Sequence, residues 1–291
     1  DNSQRKNVLS VVWRYFPESH AMNTPLNSKP ITIVLTGATG GLGSALAKAL
    51  SAQGVVLVLC GRNHLKLEQL NRTLGGQHHC VASDLTTSHG RQAVLSYCQQ
   101  FPAGIDALIN NAANNHFAPL KEMNETTVQQ MLMTNLLVPI ELTRLLLPIL
   151  AKADNAQIIN IGSAFSRLGF PGFSVYSACK FGLRGFTEAM RRELADTTIK
   201  VRLFAPRTIS TAMNDANVTA MNKALGNHSD KVETVAKQFI DFFQQTHRNE
   251  QFLGWPERFF GWLNSINSHW VDQGLAKKLP VIQRYWTGAA K

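Results

Sequence analysis

Cysteine is scarce in this chain, and its four copies form no metal-binding or disulfide pattern. The three intervals between successive cysteines are about twenty residues or more, and no CxxC pair occurs among Cys60, Cys80, Cys98 and Cys179. The nine histidines include no HxxxH or HExxH spacing, so no metal site is predicted. Scattered cysteines are typical of proteins in a reducing compartment, and we expect a cytoplasmic location.

Charged residues and long apolar runs are also few. Only 16% of the 291 residues are charged and 44% are hydrophobic, which excludes a disordered chain. No segment approaches the roughly 18–20 uninterrupted apolar residues of a membrane-spanning helix, so a transmembrane protein is not expected. A formal net charge of +10 would permit nucleic-acid binding, but the basic residues are spread out and no nucleic-acid module is recognisable.

The first 29 residues lack the pattern of a domain core. Residues 8–16 form a short apolar patch that Arg14 interrupts, without the apolar region and cleavage site of a secretory signal. Met22 precedes the first strong strand by nine residues, and we interpret it as the natural start. We therefore expect residues 1–29 to be poorly ordered.

From residue 30 onward, short apolar runs alternate with segments of helical periodicity. Strands are predicted at 31–35, 55–59, 80–82, 107–110, 157–161 and 200–204, and helices at 63–74, 88–100, 124–152 and 174–195. Alternation of this kind predicts a parallel sheet with right-handed crossovers. The expected fold is α/β, a doubly wound Rossmann-type domain over residues 30–254, with a helical C-terminal extension over residues 255–291.

A glycine-rich turn, TGATGGLG at residues 36–43, links the first strand to an amphipathic helix. Glycines let a ligand approach the backbone, and the helix presents its amide donors and positive dipole end. The placement of the turn predicts a site for the pyrophosphate of a dinucleotide.

The turn and four later motifs resemble the short-chain dehydrogenase/reductase superfamily, classical type. The motifs are Asp84-Leu85, Asn110-Asn111-Ala112-Ala113 (with Ala113 in place of glycine), Thr134-Asn135-Leu136-Leu137, and Ser163 followed by Tyr176-Ser177-Ala178-Cys179-Lys180. The resemblance covers about residues 30–212. It implies an NAD(P)-dependent oxidoreductase that acts on CH–OH groups and forms a homo-oligomer, a dimer or a tetramer.

The resemblance also implies the roles of the site residues. Ser163 would hold the substrate oxygen, Tyr176 would protonate it, Lys180 would bind the nicotinamide ribose, and Asn135 would anchor a water. Tyr176 and Lys180 lie four apart on a helix, so the ammonium can stabilise a phenolate whose ordinary pKa is ~10. The residues implied to bind the cofactor are Thr36, Gly37, Gly41, Leu42, Gly43, Arg62, Asp84, Leu85, Asn111, Ala112, Tyr176, Lys180, Pro206 and Thr211.

The end of the second strand predicts the choice of cofactor. NAD-specific relatives carry an acidic residue there, whereas this chain has Gly61 followed by Arg62. A guanidinium suits a 2′-phosphate, so NADP(H) is preferred over NAD(H). The alternative is that Arg62 only caps a loop.

After the sixth strand, Arg207 replaces the glycine of the family's Pro-Gly-x-x-x-Thr pattern, while Pro206 and Thr211 match it. Arg207 either changes the turn or marks a subgroup feature near the cofactor or the substrate entrance. Residues 212–230 would form a lid. Six apolar side chains suggest an apolar substrate, although a core role is the alternative: Phe117, Phe165, Phe170, Phe173, Met213 and Met221.

The C-terminal extension follows a last strand predicted at 251–254. Its residues Trp255, Phe259, Leu263, Ile266 and Trp270 recur at helical spacing, which predicts an amphipathic helix over 255–270. We expect this face to be buried on the chain's own core or on a neighbouring subunit. Weak contact with a membrane surface, and hence a peripheral location at a membrane, is the alternative.

Taken with the resemblance, these patterns predict an NADPH-dependent oxidoreductase that interconverts a carbonyl and a secondary alcohol on a small apolar substrate. Two alternatives stay open at this point. One is a 3-oxoacyl-carrier reductase of lipid metabolism, and the other is a dinucleotide-binding regulator without turnover.

Overall fold

The computed structural model describes residues 31–211 and 213–286, so the expectation for residues 1–29 lies outside the described residues. Seven strands form one parallel sheet in the order β3-β2-β1-β4-β5-β6-β7, which confirms the predicted fold class. The strands are β1 Thr32–Thr36, β2 Val56–Gly61, β3 His79–Ala82, β4 Ala107–Asn110, β5 Gln157–Ile161, β6 Lys200–Ala205 and β7 Glu250–Phe252.

Helices cover both faces of this sheet. The helices of the described residues are α1 Gly41–Ser51, α2 His64–Thr73, α3 Ser88–Cys98, α4 Glu125–Leu132, α5 Val138–Leu150, α6 Ser174–Glu193, α7 Ala216–Ala224, α8 Val232–Gln244, α9 Trp255–Ile266 and α10 Ser268–Gln283. Side chains of β1 alternate between two cores: Ile33 and Leu35 pack with α1 and α8, whereas Val34 packs with α3 and α5. Every residue of β1 is buried because both faces are covered.

The strand order changes direction between β1 and β4. The chain runs outward from β1 to β2 and β3, then returns to place β4 on the other side of β1. In doubly wound sheets the crevice at such a point, beyond the carboxyl ends of the strands, is where ligands bind. The fold therefore brings the loops after β1, β4, β5 and β6 together.

The long helix predicted at 124–152 is interrupted. A π-helical turn over Met133–Leu137 separates α4 from α5. The run over 125–150 is long and apolar enough to cross a membrane by length and composition. However, Leu142 and Leu146 of α5 are fully buried in the core of the sheet, so this hydropathy is that of a core helix.

The C-terminal extension differs from its prediction in two ways. The helix expected over 255–270 is two helices, because Asn267 has an extended backbone and its side chain accepts a hydrogen bond from the backbone N–H of His269 at 3.1 Å. Burial of the apolar face on the chain's own core is also wrong, since Trp255 is 75% and Ile266 is 63% exposed. The buried residue of α9 is Gly261, on the other side of the helix.

Candidate active site

A cavity of about 650 Å³ lies at the carboxyl ends of the central strands. The glycine-rich turn forms one end, and side chains from α7, α9 and α10 form the other. Ser163, Tyr176 and Lys180 lie on its wall. Of the catalytic and cofactor-binding residues predicted from the sequence, only Thr36 and Asn135 do not line this cavity, and both lie behind its lining residues.

The glycine-rich turn is held against the loop after β4. Thr36 Oγ1 accepts hydrogen bonds from the backbone N–H groups of Asn111 and Ala112, both at 2.9 Å. Gly37 has φ 62°, and a Cβ there would lie 2.8 Å from Cα of Ala112. A Cβ on Gly43 would collide with the carbonyl oxygen of Gly37. The two loops therefore approach at a distance that only glycine allows.

The start of α1 suits an anion. Its N-cap residue Gly40 supplies no side-chain hydrogen bond, so the first-turn amides are left for a ligand. Thr211 lies over this end of the helix, where a Cβ built on Gly41 would be 2.7 Å from Thr211 Cγ2. The turn, the helix and Thr211 together fit the pyrophosphate and the adjoining nicotinamide half of a dinucleotide.

The wall beyond β2 and β3 fits the adenosine half. Gly61 and the exposed Arg62 line the cavity, and Arg62 has no ion-pair partner among the described residues. Asp84 Oδ1 accepts bonds from the backbone and the hydroxyl of Thr86 at 3.0 and 2.8 Å, and these lower the pKa of Asp84. Ser83 Oγ also lines the cavity and is buried with no partner in the described part of the chain. An unpaired hydroxyl at this point fits a ligand that would supply the missing bond.

Tyr176 and Lys180 lie one turn apart on α6. Lys180 is 3% exposed, its Nζ donates to the carbonyl oxygen of Ile161 at 2.8 Å, and Nζ is 5.6 Å from the centre of the Tyr176 ring. Burial lowers the pKa of Lys180 to about 8. Burial raises the pKa of Tyr176 to about 12, while a hydrogen bond with Ser163 acts in the opposite direction. Desolvation therefore shifts the pKa of both groups, downward for the lysine and upward for the tyrosine.

Ser163 is fixed by the short 3-10 helix that follows β5. Its Oγ accepts a bond from the backbone N–H of Phe165 at 3.2 Å, and its own N–H donates to Ser166 Oγ at 3.1 Å. This reciprocal capping keeps the serine backbone extended and leaves its hydroxyl on the cavity wall.

Asn135 lies in the π-helical turn and is fully buried. Its Nδ2 donates to the carbonyl oxygens of Asn114 and Met131, both at 2.9 Å, and its Oδ1 accepts from the backbone N–H of Asn114 at 3.1 Å. Asn114 lines the cavity and was missed by the sequence analysis, although it directly follows the Asn110–Ala113 motif. Asn135 therefore reaches the site through Asn114.

Arg207 connects three segments of the chain through contacts with two carboxylates. Its guanidinium donates to both carboxylate oxygens of Asp230 at 2.9 and 2.7 Å, and it lies 3.7 Å from a carboxylate oxygen of Glu257 on α9. These contacts raise the pKa of Arg207 and join the loop after β6 to the segment before α8 and to the C-terminal extension. No local sequence signal indicated Asp230 or Glu257, because the three residues are far apart in the chain.

The other end of the cavity is apolar. Five of the six side chains predicted for a cleft line it, namely Phe165, Phe170, Phe173, Met213 and Met221. Phe117 is a core residue instead, with its ring centre 4.8 Å from that of Phe173. Val271 and Leu275 of α10 complete the wall, a role that the sequence analysis did not assign to the extension.

This sheet, its glycine-rich turn and the cavity define a nucleotide-binding α/β protein of the Rossmann type. A sequence model described as short chain dehydrogenase matches residues 31–222. The chain therefore belongs to the short chain dehydrogenase family.

Individual relatives agree with this assignment. The chain is 33% identical over 201 residues to dehydrogenase/reductase SDR family member 7B of Mus musculus, and 34% identical over 182 residues to the ketoacyl reductase HetN of a Nostoc strain. These matches cover 67% and 62% of this chain but only 62% and 63% of the relatives' own lengths.

Two solved structures also share the fold. A short-chain dehydrogenase from Streptomyces avermitilis is 23% identical with a TM-score of 0.73, and the match covers 86% of this chain and 98% of that one. A metagenomic short-chain oxidoreductase in complex with NADP is 25% identical with a TM-score of 0.65, covering 77% of this chain and 96% of that one.

Proposed function

We propose that this chain is an NADPH-dependent oxidoreductase that interconverts an apolar carbonyl compound and its secondary alcohol. The observation that carries the proposal is the position of Ser163, Tyr176 and Lys180. They lie between a backbone-lined cleft that suits a dinucleotide and an apolar chamber that suits a substrate. In this assignment, residues 30–254 form the catalytic domain, and residues 255–291 form an extension.

Each residue has a distinct part in the mechanism. A bound nicotinamide dinucleotide supplies the hydride. The Ser163 hydroxyl holds the carbonyl oxygen, and the Tyr176 hydroxyl gives its proton to that oxygen as negative charge develops there. Lys180 stabilises the resulting phenolate and hydrogen-bonds the ribose, while Asn135 and its partner Asn114 anchor the water that connects Lys180 to solvent.

NADP(H) is preferred over NAD(H) in this proposal. Gly61 offers no carboxylate to the ribose hydroxyls, and Arg62 is exposed on the cavity wall, where its guanidinium can bind a 2′-phosphate. The metagenomic neighbour is in complex with NADP, whereas a Burkholderia phymatum neighbour of 20% identity is in complex with NAD. The choice therefore depends on Arg62 rather than on the fold.

A 3-oxoacyl-carrier reductase is the second candidate. The relative HetN is named a ketoacyl reductase, and the apolar chamber would accept an acyl chain. A non-catalytic regulator is disfavoured, because such a protein has no need of a buried lysine beside a tyrosine on the cavity wall.

We further propose a cytoplasmic homo-oligomer, a dimer or a tetramer. Leu132, Leu137 and Phe181 are large apolar side chains that are exposed on α4, the π-helical turn and α6. These elements pack on one another, and in this proposal the three side chains contribute to a self-association face apart from the C-terminal extension. The four cysteines are unpaired thiols, which fits a reducing compartment.

The test is carbonyl-dependent NADPH oxidation by the Tyr176→Phe variant. Loss of the transferable proton should lower kcat by at least about hundredfold, with NADPH binding retained. The matched control is Tyr97→Phe on α3, which deletes a hydroxyl that lies 2.9 Å from Nδ1 of His79 on β3, and Tyr97 does not line the cavity. Reduction by the wild type should also slow as the pH rises through about 8, because Lys180 then loses its charge.

Three outcomes would contradict the proposal. If Tyr176→Phe keeps about a tenth or more of the wild-type rate, Tyr176 is not the proton donor. If the wild type consumes only 3-oxoacyl thioesters among a panel of ketones, aldehydes and thioesters, the second candidate replaces the first. If it binds NADPH but reduces no carbonyl in the panel, the regulator is supported.

A further inference from the structure

Helix α9 presents a continuous aromatic stripe to solvent. Trp255, Phe259, Trp262 and Ile266 recur at intervals of four, three and four residues and so share one face of the helix. The Phe259 ring centre lies 6.2 Å from that of Trp255 and 5.9 Å from that of Trp262. All four side chains are exposed, and we call them the aromatic stripe. An apolar patch of this kind marks an interaction surface.

The stripe is exposed although the other side of α9 packs against the domain. On the other side of the helix, a Cβ built on the buried Gly261 would be 3.2 Å from Arg167 Cβ. Asn264 Nδ2 donates to the carbonyl oxygen of Arg167 at 3.0 Å, and Glu257 lies 3.7 Å from Arg207. The helix therefore meets the domain through its small and polar residues, and this orientation turns the stripe outward.

Basic residues accompany the stripe. Arg258 is exposed beside it on α9. Trp270 and Lys277 are seven residues apart and share one face of α10, and the exposed Arg284 follows at the same interval as the C-cap of that helix. Residues 255–286 contain four Lys or Arg and two acidic residues, of which Glu257 is engaged by Arg207. An exposed aromatic face in a segment of net positive charge has features of a helix that lies in the interface of an anionic bilayer.

A second copy of the chain fits this surface less well. In an isologous contact both copies use the same patch, so the cations of both copies would be brought into one interface. Like charges across an interface are destabilising, whereas anionic headgroups would neutralise them. The self-association face proposed above, on α4, the π-helical turn and α6, lies outside the C-terminal extension.

The stripe is continuous with the mouth of the cavity. Phe260, whose ring centre is 5.7 Å from that of Phe259, lines the cavity and is also exposed. Trp270 is 61% exposed and lines the cavity too. Pro256 and Lys278 are exposed and line the cavity as well. An apolar molecule that leaves a bilayer beneath the stripe would therefore contact aromatic side chains along its whole path to the apolar end of the cavity.

We propose that the aromatic stripe and the basic face of α10 dock on the surface of an anionic membrane, from which an apolar substrate enters the cavity. The entry of substrate rests on the proposed function. The docking itself depends only on the aromatic and basic side chains at the surface.

The test is co-sedimentation of the full chain with vesicles, without cofactor or substrate. The wild type should bind vesicles of phosphatidylcholine and phosphatidylglycerol at least about tenfold more strongly than phosphatidylcholine alone. The double variant Trp255→Ser, Trp262→Ser should lose about tenfold or more of this binding, as should Arg258→Gln, Lys277→Gln. Bromine-labelled lipids should quench the tryptophan fluorescence of the wild type.

Matched controls lie on α2, at the opposite edge of the sheet. Leu65→Ser removes an exposed apolar side chain, and Lys66→Gln, Arg72→Gln removes two exposed cations, so neither should change vesicle binding. Unchanged NADPH oxidation with a small water-soluble ketone would show that the tryptophan variant is folded, since Trp255 and Trp262 do not line the cavity. If wild-type turnover is absent, an unchanged thermal midpoint supplies this check.

Docking is overturned if the wild type binds neither kind of vesicle, or if the tryptophan variant binds as the wild type does. A third result would also overturn docking: the wild type does not bind vesicles, and the tryptophan variant forms a smaller oligomer than the wild type. A second copy of the chain would then cover the stripe. Failure of the proposed function would leave vesicle binding intact. Failure of docking would leave the reduction of a soluble ketone intact.

Discussion

The two ends of the cavity differ in whether mainly backbone or mainly side chains form the wall. At the cofactor end the wall is backbone, held by hydrogen bonds between Thr36 and the loop that begins at Asn111. At the substrate end the wall is a set of side chains, among them Met221 and Leu275, carried by helices near the chain's C-terminus. A larger side chain in the glycine-rich turn must displace a loop, whereas a substitution at the second end only reshapes a surface. Effects on binding should therefore be large at the first end and graded at the second.

The largest effect is expected for Gly43→Ala. The new Cβ would collide with the carbonyl oxygen of Gly37 and lie 2.9 Å from Nδ2 of Asn111, so the turn must move. Overpacking of this kind costs about 1–3 kcal/mol of unfolding free energy. The dissociation constant for NADPH should rise by up to about hundredfold, because the first turn of α1 loses its position. Equilibrium unfolding and fluorescence titration measure the two quantities.

Gly185→Ala is the control for this substitution. Gly185 lies within α6, and a Cβ built there has no atom within 4 Å, so alanine should stabilise the helix by about 0.5–1 kcal/mol. If both variants bind NADPH as the wild type does, the backbone wall is less rigid than the contacts of Gly37 indicate, and the contrast between the two ends fails.

A smaller effect is expected for Arg62→Ala. Loss of a charge-assisted bond to the 2′-phosphate should weaken NADPH binding by about tenfold to hundredfold and leave NADH binding nearly unchanged. Arg72→Ala removes another exposed guanidinium, from α2, and should alter neither constant. Equal losses for the two cofactors would assign Arg62 a structural role and remove the basis for the NADPH preference.

The same contrast explains what could be predicted from the sequence. The strands and the glycine-rich turn were predictable because backbone requirements select residue types at fixed spacing. The junction of Arg207 with Asp230 and Glu257 was not, because it joins residues that only the tertiary fold brings together. The periodicity of α9 identified Trp255, Phe259 and Ile266 as one face, although Trp262 rather than Leu263 completes the exposed stripe and Trp270 lies on the next helix. The prediction that this face is buried was wrong. Gly261 and Asn264, which pack the helix against the domain, are not apolar and so gave no signal in the pattern.

The smallest effect is expected at the substrate end, for Leu275→Ala on α10. Leu275 is half-buried and lines the cavity, so its truncation removes apolar contact without moving backbone. A loss of about 1 kcal/mol of apolar contact would raise KM for an apolar ketone by about fivefold and leave kcat unchanged. Leu279→Ala is the control, because Leu279 is half-buried on the same helix but does not line the cavity. A fall in kcat at unchanged KM would mean that α10 affects the chemical step. The cofactor end and the substrate end would then both influence the chemical step, although one is lined by backbone and the other by side chains.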